Sequence, residues 1–256
     1  MKIVGLMLIA ATALFALSGE AVFEKKCASC HSEYYIPQSR LVVNYQHNNK
    51  DLNLTAPTVT ELSFRIKDQV GDRTLDAEGQ KFEIEEWLTR FLKDPKGFKT
   101  ILPKDVRKAY GQMPPVEVSE EETEALADFL YEYAEAMMVK HGVKRYSYDE
   151  ALEVAQKEGK IILIEGYLPY CRGCIWMDRN VMVEPEVKAA LNSDFVLVRK
   201  NLLIEKLPLG IKRLGTPSFY FITGDGKKVI DMVEGTGTKT EFLELLSQMK
   251  AKAHKE

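Results

Sequence analysis

All four cysteines of this 256-residue chain fall into two Cys-x-x-Cys pairs, Cys27/Cys30 and Cys171/Cys174. No cysteine is left for a crosslink between distant segments, so the pattern favours cofactor attachment and redox chemistry over structural disulfides. Apolar residues form 45% of the sequence and charged residues 29%, as in folded globular proteins. The chain is long enough for two domains, each with its own core.

The first pair is followed directly by a histidine, in the stretch Cys27-Ala28-Ser29-Cys30-His31. Covalent haem attachment needs this order. Each thiol adds to one vinyl group of the haem, and the imidazole of His31 then becomes the proximal iron ligand. A zinc half-site is the alternative, but no second Cys/His pair of suitable spacing lies nearby to complete it. We therefore expect one haem c, bound through Cys27 and Cys30.

The residues around this motif are spaced as on a helix. Steps of four place Gly19, Phe23 and Cys27 on one helical face. A small residue at position 19 would let another helix approach, and Phe23 would pack over the haem edge. The pattern resembles the N-terminal helix of class I c-type cytochromes.

Later segments extend this resemblance to roughly residues 19–138. Apolar residues at helical spacing predict a helix over 84–92 that ends at Asp94-Pro95. The stretch Ser119–Glu122 is a capping box that opens another helix. With the loop 111–115 between them, these helices are similar to the C-terminal part of a class I cytochrome.

The resemblance implies an all-α, mono-haem cytochrome c domain over residues 20–140. It makes Met113 the distal iron ligand, a soft thioether presented by a loop that two prolines stiffen. A core methionine is the alternative for Met113, and His47 is a competing ligand, although its polar surroundings favour a position facing water. The resemblance also makes Pro57 the residue whose carbonyl supports His31.

Several segments are predicted to connect these elements. Residues 34–53 and 71–79 are expected to be surface loops. The last helix of the first domain should end near Gly142, because glycine commonly terminates helices. A second capping box at Ser147–Glu150 opens a new helix. The domain boundary is therefore expected at about 139–146.

The N-terminus has the pattern of an export signal. Lys2 precedes an apolar stretch over 3–17, and small residues at 16–18 offer a cleavage site. We expect residues 1–19 to be a signal peptide. The protein is then expected in the periplasm, with no integral membrane span after cleavage. An uncleaved anchor is the alternative, but about 15 apolar residues are short for a spanning helix. A net charge of −3 without a basic run argues against nucleic-acid binding.

The second half alternates between helical and strand patterns. The predicted strands are 161–164, 195–198, 218–222 and 229–233, and the predicted helices include 149–158 and 239–249. A Cys-x-x-Cys between a strand and a helix in such a βαβ pattern is typical of thioredoxin-like proteins. The resemblance covers about 147–252 and implies an α/β thioredoxin-like domain over 147–256.

The position of the second pair predicts its chemistry. Cys171 would stand at a helix N-terminus, where unpaired amides and the helix dipole stabilise a thiolate, and Arg172 adds a positive charge. Cys171 is then the attacking sulfur, and Cys174 resolves the mixed disulfide. Zinc binding and a purely structural disulfide are the alternatives.

The thioredoxin resemblance assigns three further residues. Glu165, six residues before Cys171, would be a buried acid that exchanges a proton with Cys174; a strand residue facing solvent is the alternative. Pro217 would be a cis-proline against the sulfurs. It would leave the backbone of Thr216 free to pair with a substrate strand.

Together the two halves predict an exported redox protein that combines electron transfer by haem with thiol–disulfide exchange. Its expected partners are redox proteins and disulfide-bearing proteins or small sulfur compounds. One alternative is an assembly factor that reduces the cysteines of client apocytochromes. Another is a cytochrome whose second domain is a non-catalytic binding module.

Overall fold

The computed structural model describes residues 17–72, 75–98 and 100–254, so most of the predicted signal segment lies outside the described residues. A helical half is followed by an α/β half. The helical half contains α1 (Gly19–Lys26), α2 (Gln38–Gln46), α3 (Val59–Gln69), α4 (Ala77–Lys93), α5 (Lys104–Ala109) and α6 (Glu120–His141). The α/β half contains β1 (Arg145–Tyr146), α7 (Tyr148–Glu158), β2 (Ile161–Tyr167), α8 (Arg172–Asn180), α9 (Pro185–Asp194), β3 (Phe195–Asn201), β4 (Ser218–Ile222), β5 (Val229–Glu234) and α10 (Lys239–Ala253). Within these ranges, no helix has both the length and the apolar run that crossing a bilayer requires.

The first and last helices of the helical half meet at Gly19. A Cβ at this position would lie 2.0 Å from the carbonyl oxygen of Ala125 and 2.6 Å from the Cβ of Phe129. Only glycine, which has no Cβ, permits this approach of α1 to α6. The prediction that a small residue at 19 admits a second helix is therefore confirmed.

Both predicted capping boxes are present. The hydroxyl of Ser119 accepts the N–H of Glu122, whose carboxylate accepts the N–H of Ser119, and α6 begins with the next residue. Ser147 and Glu150 form the same pair of bonds at the start of α7. Each pair satisfies amides that the first helical turn leaves free.

The prediction of a surface loop over 34–53 is wrong. Residues 38–46 form α2, whose Leu41 and Tyr45 are buried against Val106 of α5. This small apolar cluster is separate from the main core of the helical half. It could not be recognised from the sequence because its two sides lie about sixty residues apart.

The α/β half is built on a five-stranded sheet with the order β1-β3-β2-β4-β5. The first three strands are parallel, and β4 and β5 are antiparallel to their neighbours. Alternate residues of β2 and β3 enter different cores, one covered by α8, α9 and α10 and the other by α7. Burial on both faces explains their continuous apolar runs.

The domain joint contains a short strand that the sequence pattern missed. Arg145 and Tyr146 form β1 and pair with Leu197 and Val198 of β3. The α/β half therefore begins two residues before the predicted start at 147, and the joint is part of the sheet.

The two halves are in direct contact beside α8. The guanidinium of Arg179 forms two bonds to the carboxylate of Asp68 on α3, at 2.6 and 3.3 Å. The same guanidinium lies 3.5 Å from the ring centre of Phe64. In addition, the ammonium group of Lys188 on α9 donates to the carbonyl oxygen of His141 at the end of α6. The helical half thus supports the helix that carries Cys174.

Candidate functional site

The second cysteine pair forms a disulfide, with an S–S distance of 2.14 Å. Cys171 is the N-cap of α8, and its sulfur accepts the N–H of Cys174 at 3.0 Å. Cys174 is 1% exposed, whereas Cys171 is half-buried. Arg172 is the first residue of α8 and is exposed. Cys171 is therefore the sulfur that a substrate can reach, at the helix end that favours a thiolate.

A cis-proline packs against the turn between these cysteines. The Thr216–Pro217 peptide bond is cis, and a Cβ added to Gly173 would lie 2.9 Å from the Cδ of Pro217. The carbonyl of Pro217 accepts the N–H of Gly235. Within the described residues, the backbone of Thr216 has no hydrogen-bond partner. Its free donor and acceptor lie next to the disulfide, where an extended chain could pair with them.

Glu165 lies on β2 and is fully buried, so the alternative that it faces solvent is wrong. Its two oxygens lie 3.3 Å from Arg145 Nη2 and 3.8 Å from Arg199 Nε. Asp178 of α8 contacts both arginines, at 2.5 and 2.6 Å. Asp178 follows Cys174 by four residues on the same helix, so this charge cluster connects the sheet to the helix of the disulfide.

Burial raises the pKa of Glu165, and the neighbouring Asp178 carboxylate raises it further, while Arg199 and Arg145 act in the opposite direction. One carboxylate oxygen, Oε1, has no hydrogen-bond partner among the described residues. The hydrogen bond and ion pairs of Glu165 in the described residues are with Arg145 and Arg199. A proton on Glu165 is therefore retained to a higher pH than on an exposed glutamate.

Sequence reasoning missed the three partners of Glu165. Arg199 lies directly opposite Glu165 in the pairing of β2 with β3. The available signal was that Arg199 is a charged residue directly after the four apolar residues 195–198 of a strand. Nothing in the local sequence marked Arg145 or Asp178, because they meet Glu165 only through the sheet and the packing of α8.

The first cysteine pair lies at the opposite end of a helix. Cys27 is the C-cap of α1, and both Cys27 and Cys30 are free thiols. Burial raises the pKa of Cys27 to about 11, although Lys26 acts against this shift. Cys30 is exposed. Neither the burial nor the negative end of the helix dipole favours a thiolate on Cys27.

The residue after this pair, His31, is held by a backbone carbonyl. Its Nδ1 lies 2.9 Å from the carbonyl oxygen of Pro57. Because a carbonyl only accepts, Nδ1 carries the hydrogen and Nε2 keeps a lone pair. Burial lowers the pKa of His31, with the bond to Pro57 acting in the opposite direction. The neutral imidazole, which is the form that binds metals, is therefore favoured.

Two other predicted haem residues lie in the core of the helical half. The ring of Phe23 is fully buried, 6.2 Å from that of His31. Met113 is partly buried and packs against the same apolar cluster. His47, in contrast, is exposed and paired with Asp51. Among the described residues, no group of three or more His, Cys, Asp or Glu side chains is arranged to hold a metal ion by itself.

A family model described as thioredoxin-like, Thioredoxin_7, matches residues 144–221. The matched span contains both cysteines of the disulfide, Glu165 and Pro217. The C-terminal part of the chain is therefore a thioredoxin-like domain. The match does not reach the helical half, so the cytochrome prediction rests on the residues of that half alone.

Over 107 residues the chain is 32% identical to a protein disulfide-isomerase of Hordeum vulgare and 31% identical to one of Triticum aestivum. The alignments cover 41% of this chain and 20% of each relative, so the chain spans about a fifth of the length of these curated relatives.

Two solved structures were also found to be similar. A thioredoxin from Thermus thermophilus is 26% identical, covers 44% of this chain and 90% of its own, and has a TM-score of 0.39. The C-terminal domain of DsbD from Neisseria meningitidis, in its reduced form, is 22% identical, covers 39% and 91%, and has a TM-score of 0.31.

Proposed function

Because the C-terminal part of the chain is a thioredoxin-like domain, we propose that the protein catalyses thiol–disulfide exchange at Cys171 and Cys174. One observation carries the proposal: the two cysteines form a disulfide at a helix N-terminus, with one sulfur reachable and the other enclosed. This arrangement favours a nucleophilic thiolate on Cys171 in the reduced protein.

The exchange proceeds in two substitutions at sulfur. The Cys171 thiolate attacks one sulfur of a substrate disulfide, the substrate S–S bond breaks, and the first thiol leaves and takes up a proton. The Cys174 thiolate then attacks the sulfur of Cys171, which releases the second thiol and forms the Cys171–Cys174 disulfide. Two electrons pass from the protein to the substrate, and the reaction runs in reverse when the oxidised protein meets a dithiol.

Three neighbouring residues are assigned supporting roles. Arg172 stabilises the Cys171 thiolate by its charge, and the free backbone of Thr216 beside Pro217 pairs with an extended substrate chain. Glu165 exchanges the proton of Cys174. Its raised pKa supports a role in proton transfer.

A direct test measures reduction of a small disulfide by the full-length protein. The Cys171→Ser variant should lose activity by about 10³-fold or more, because the nucleophile is removed. A binding module without catalysis predicts no activity in either protein. The Cys174→Ser variant should accumulate mixed disulfides, and their identification in the cell envelope names the substrates. Trapped apocytochromes with Cys-x-x-Cys-His would favour the assembly-factor alternative.

We further propose that the helical half binds one haem c. Its residues fit the group: Cys27 and Cys30 are free thiols, the neutral imidazole of His31 is oriented by Pro57, and Met113 offers a soft thioether in the same core. When bound between a histidine and a methionine, such a haem supplies one-electron transfer at a raised potential.

Protein purified from its natural host tests the haem proposal. We expect haem absorbance that stays with the polypeptide after denaturation and acid–organic extraction, and that is lost in a Cys27→Ala/Cys30→Ala variant. Absence of covalent haem in the natural protein, or a disulfide between Cys27 and Cys30, would contradict it.

We also propose that the protein is exported to the periplasm. The support is the export pattern of residues 1–19, together with the disulfide between Cys171 and Cys174, since disulfides form and persist in oxidising compartments. Fractionation of the natural host tests this location. Recovery of the protein in the cytoplasm with its first nineteen residues intact would overturn it.

A further inference from the structure

A groove between the two halves runs along α8, the helix that begins directly after Cys171. It has a volume of about 330 Å³, and its lining comes from both halves. The residues that matter here are Glu61, Phe64 and Arg65 of α3 and Arg172, Trp176 and Arg179 of α8. Arg172 directly follows the reachable Cys171, and Arg179 is seven residues further on. At 1.5 Å per residue, the groove therefore follows α8 for about 10 Å.

The groove has an excess of positive charge. The guanidinium of Arg179 is already used, because it forms two bonds to Asp68 and lies over the ring of Phe64. Arg65 and Arg172 remain, and neither forms an ion pair within 4.0 Å in the described ranges, although the charge of Arg65 acts to lower the pKa of Glu61. They come from different halves of the molecule, yet both line the same cavity.

The one carboxylate in the lining is engaged elsewhere. Glu61 is buried and accepts the hydroxyl of Tyr45 at 2.8 and 2.7 Å, and also the N–H of Thr58. Its oxygens are therefore committed to hydrogen bonds within the helical half. Two guanidinium groups face the cavity against this single, engaged carboxylate, which suits an anionic ligand.

We propose that this groove binds the carboxylate end of a small acidic disulfide while one of its sulfurs reaches Cys171. Arg65 and Arg172 hold the carboxylate, since guanidinium groups match carboxylates in geometry and charge. The rings of Phe64 and Trp176 contact the methylene groups between carboxylate and sulfur. The inference rests on the proposed exchange reaction and specifies its substrate class. The two electrons of the reduced cysteine pair convert the acidic disulfide into two acidic thiols.

Three small disulfides that differ in charge test the proposal on the reduced full-length protein. They are 3,3′-dithiodipropionate, which is anionic, 2-hydroxyethyl disulfide, which is neutral, and cystamine, which is cationic. We expect kcat/KM to fall in that order. In Arg65→Gln the ratio of kcat/KM for the anionic disulfide to kcat/KM for the neutral one should fall about tenfold or more. This is the effect expected from losing one hydrogen bond to a charged group. Arg90→Gln, an equal loss of charge on α4, should keep the wild-type preference.

A preference that is the same in Arg65→Gln and in wild type overturns the proposal, and so does equal use of all three disulfides. In both cases the exchange function itself stands, because the neutral disulfide is still reduced. Reduction of none of the three would instead refute the exchange function.

Equilibrium binding tests the groove without any exchange. Calorimetric titration of the Cys171→Ser/Cys174→Ser protein with 3,3′-dithiodipropionate should give saturable binding. Adding Arg65→Gln should weaken this binding about tenfold or more. No binding, or binding that Arg65→Gln does not change, overturns the proposal whatever the kinetic results are.

Discussion

The two Cys-x-x-Cys pairs have the same spacing but lie at opposite ends of helices. Cys27 follows the last residue of α1, whereas Cys171 precedes the first residue of α8. The first pair therefore meets the negative end of a helix dipole and the second meets the positive end. The thiols of the first pair are free and those of the second are joined. The same spacing therefore lies in opposite electrostatic surroundings, which disfavour a thiolate at Cys27 and favour one at Cys171.

The pairs also differ in the polar groups nearby. The first is followed by an imidazole whose Nδ1 is held by the carbonyl of Pro57. The helix of the second carries Asp178 into a buried cluster with Glu165 and two arginines. A neutral donor with a fixed tautomer suits a metal ligand, whereas a buried carboxyl of raised pKa suits proton transfer.

The largest expected difference between the pairs is in thiol reactivity. In reduced, haem-free protein near pH 7, iodoacetamide should label Cys171 at least about 100-fold faster than Cys27. The reason is that burial raises the pKa of Cys27 to about 11, while a helix N-terminus favours the thiolate of Cys171. Mass spectrometry of quenched samples gives the rates.

Denatured protein is the control for labelling, since all four cysteines should then react at similar rates. Equal rates for Cys27 and Cys171 in the native protein would mean that the helix ends do not distinguish the pairs.

The charge cluster predicts the next largest effect, on the free energy of unfolding. Asp178→Asn leaves two largely buried arginines facing one carboxylate and should cost about 3–5 kcal/mol. Glu132→Gln removes an exposed partner of Lys81 and should cost about 0–1 kcal/mol. Urea unfolding of both variants measures the two values. Equal costs would show that the cluster behaves like a surface ion pair.

A glycine in the helix beside each cysteine pair, Gly19 in α1 and Gly173 in α8, allows a smaller, steric comparison. Gly19→Ala puts a Cβ 2.0 Å from a backbone oxygen of α6, so the two helices must separate, at a cost of about 1–3 kcal/mol. Gly173→Ala meets the ring of Pro217 and the methyl of Thr236 at 2.9 Å. There, the gain in helix propensity of about 0.5–1 kcal/mol offsets part of the strain.

Thermal unfolding of the two glycine variants measures the difference. A larger loss of stability in Gly173→Ala than in Gly19→Ala would reverse the expected order. It would place the tighter constraint at the disulfide and not at the crossing of α1 and α6.

The sequence predicted features that depend on a few neighbouring residues. The capping boxes at Ser119 and Ser147, the strand 218–222 and the cysteine at the start of α8 are all of this kind. The features that it missed depend on residues far apart in the chain. The two-residue strand β1 exists only because β3 pairs with it. Asp178 contacts Arg145 and Arg199 only because α8 packs on the sheet.

The pH dependence of stability gives the smallest and most specific test of the second region. Burial raises the pKa of Glu165 in the folded protein, so between its unfolded value of about 4.5 and that raised value the folded state binds more protons than the unfolded state. The stability that Glu165 contributes is therefore complete below the unfolded pKa and is lost as the pH rises through the folded pKa. Urea midpoints between about pH 5 and 8 should fall less steeply in Glu165→Gln than in wild type, whereas Glu132→Gln should keep the wild-type slope. If Glu165→Gln also kept it, the carboxyl would be ionised in both states, and the two arginines would outweigh burial.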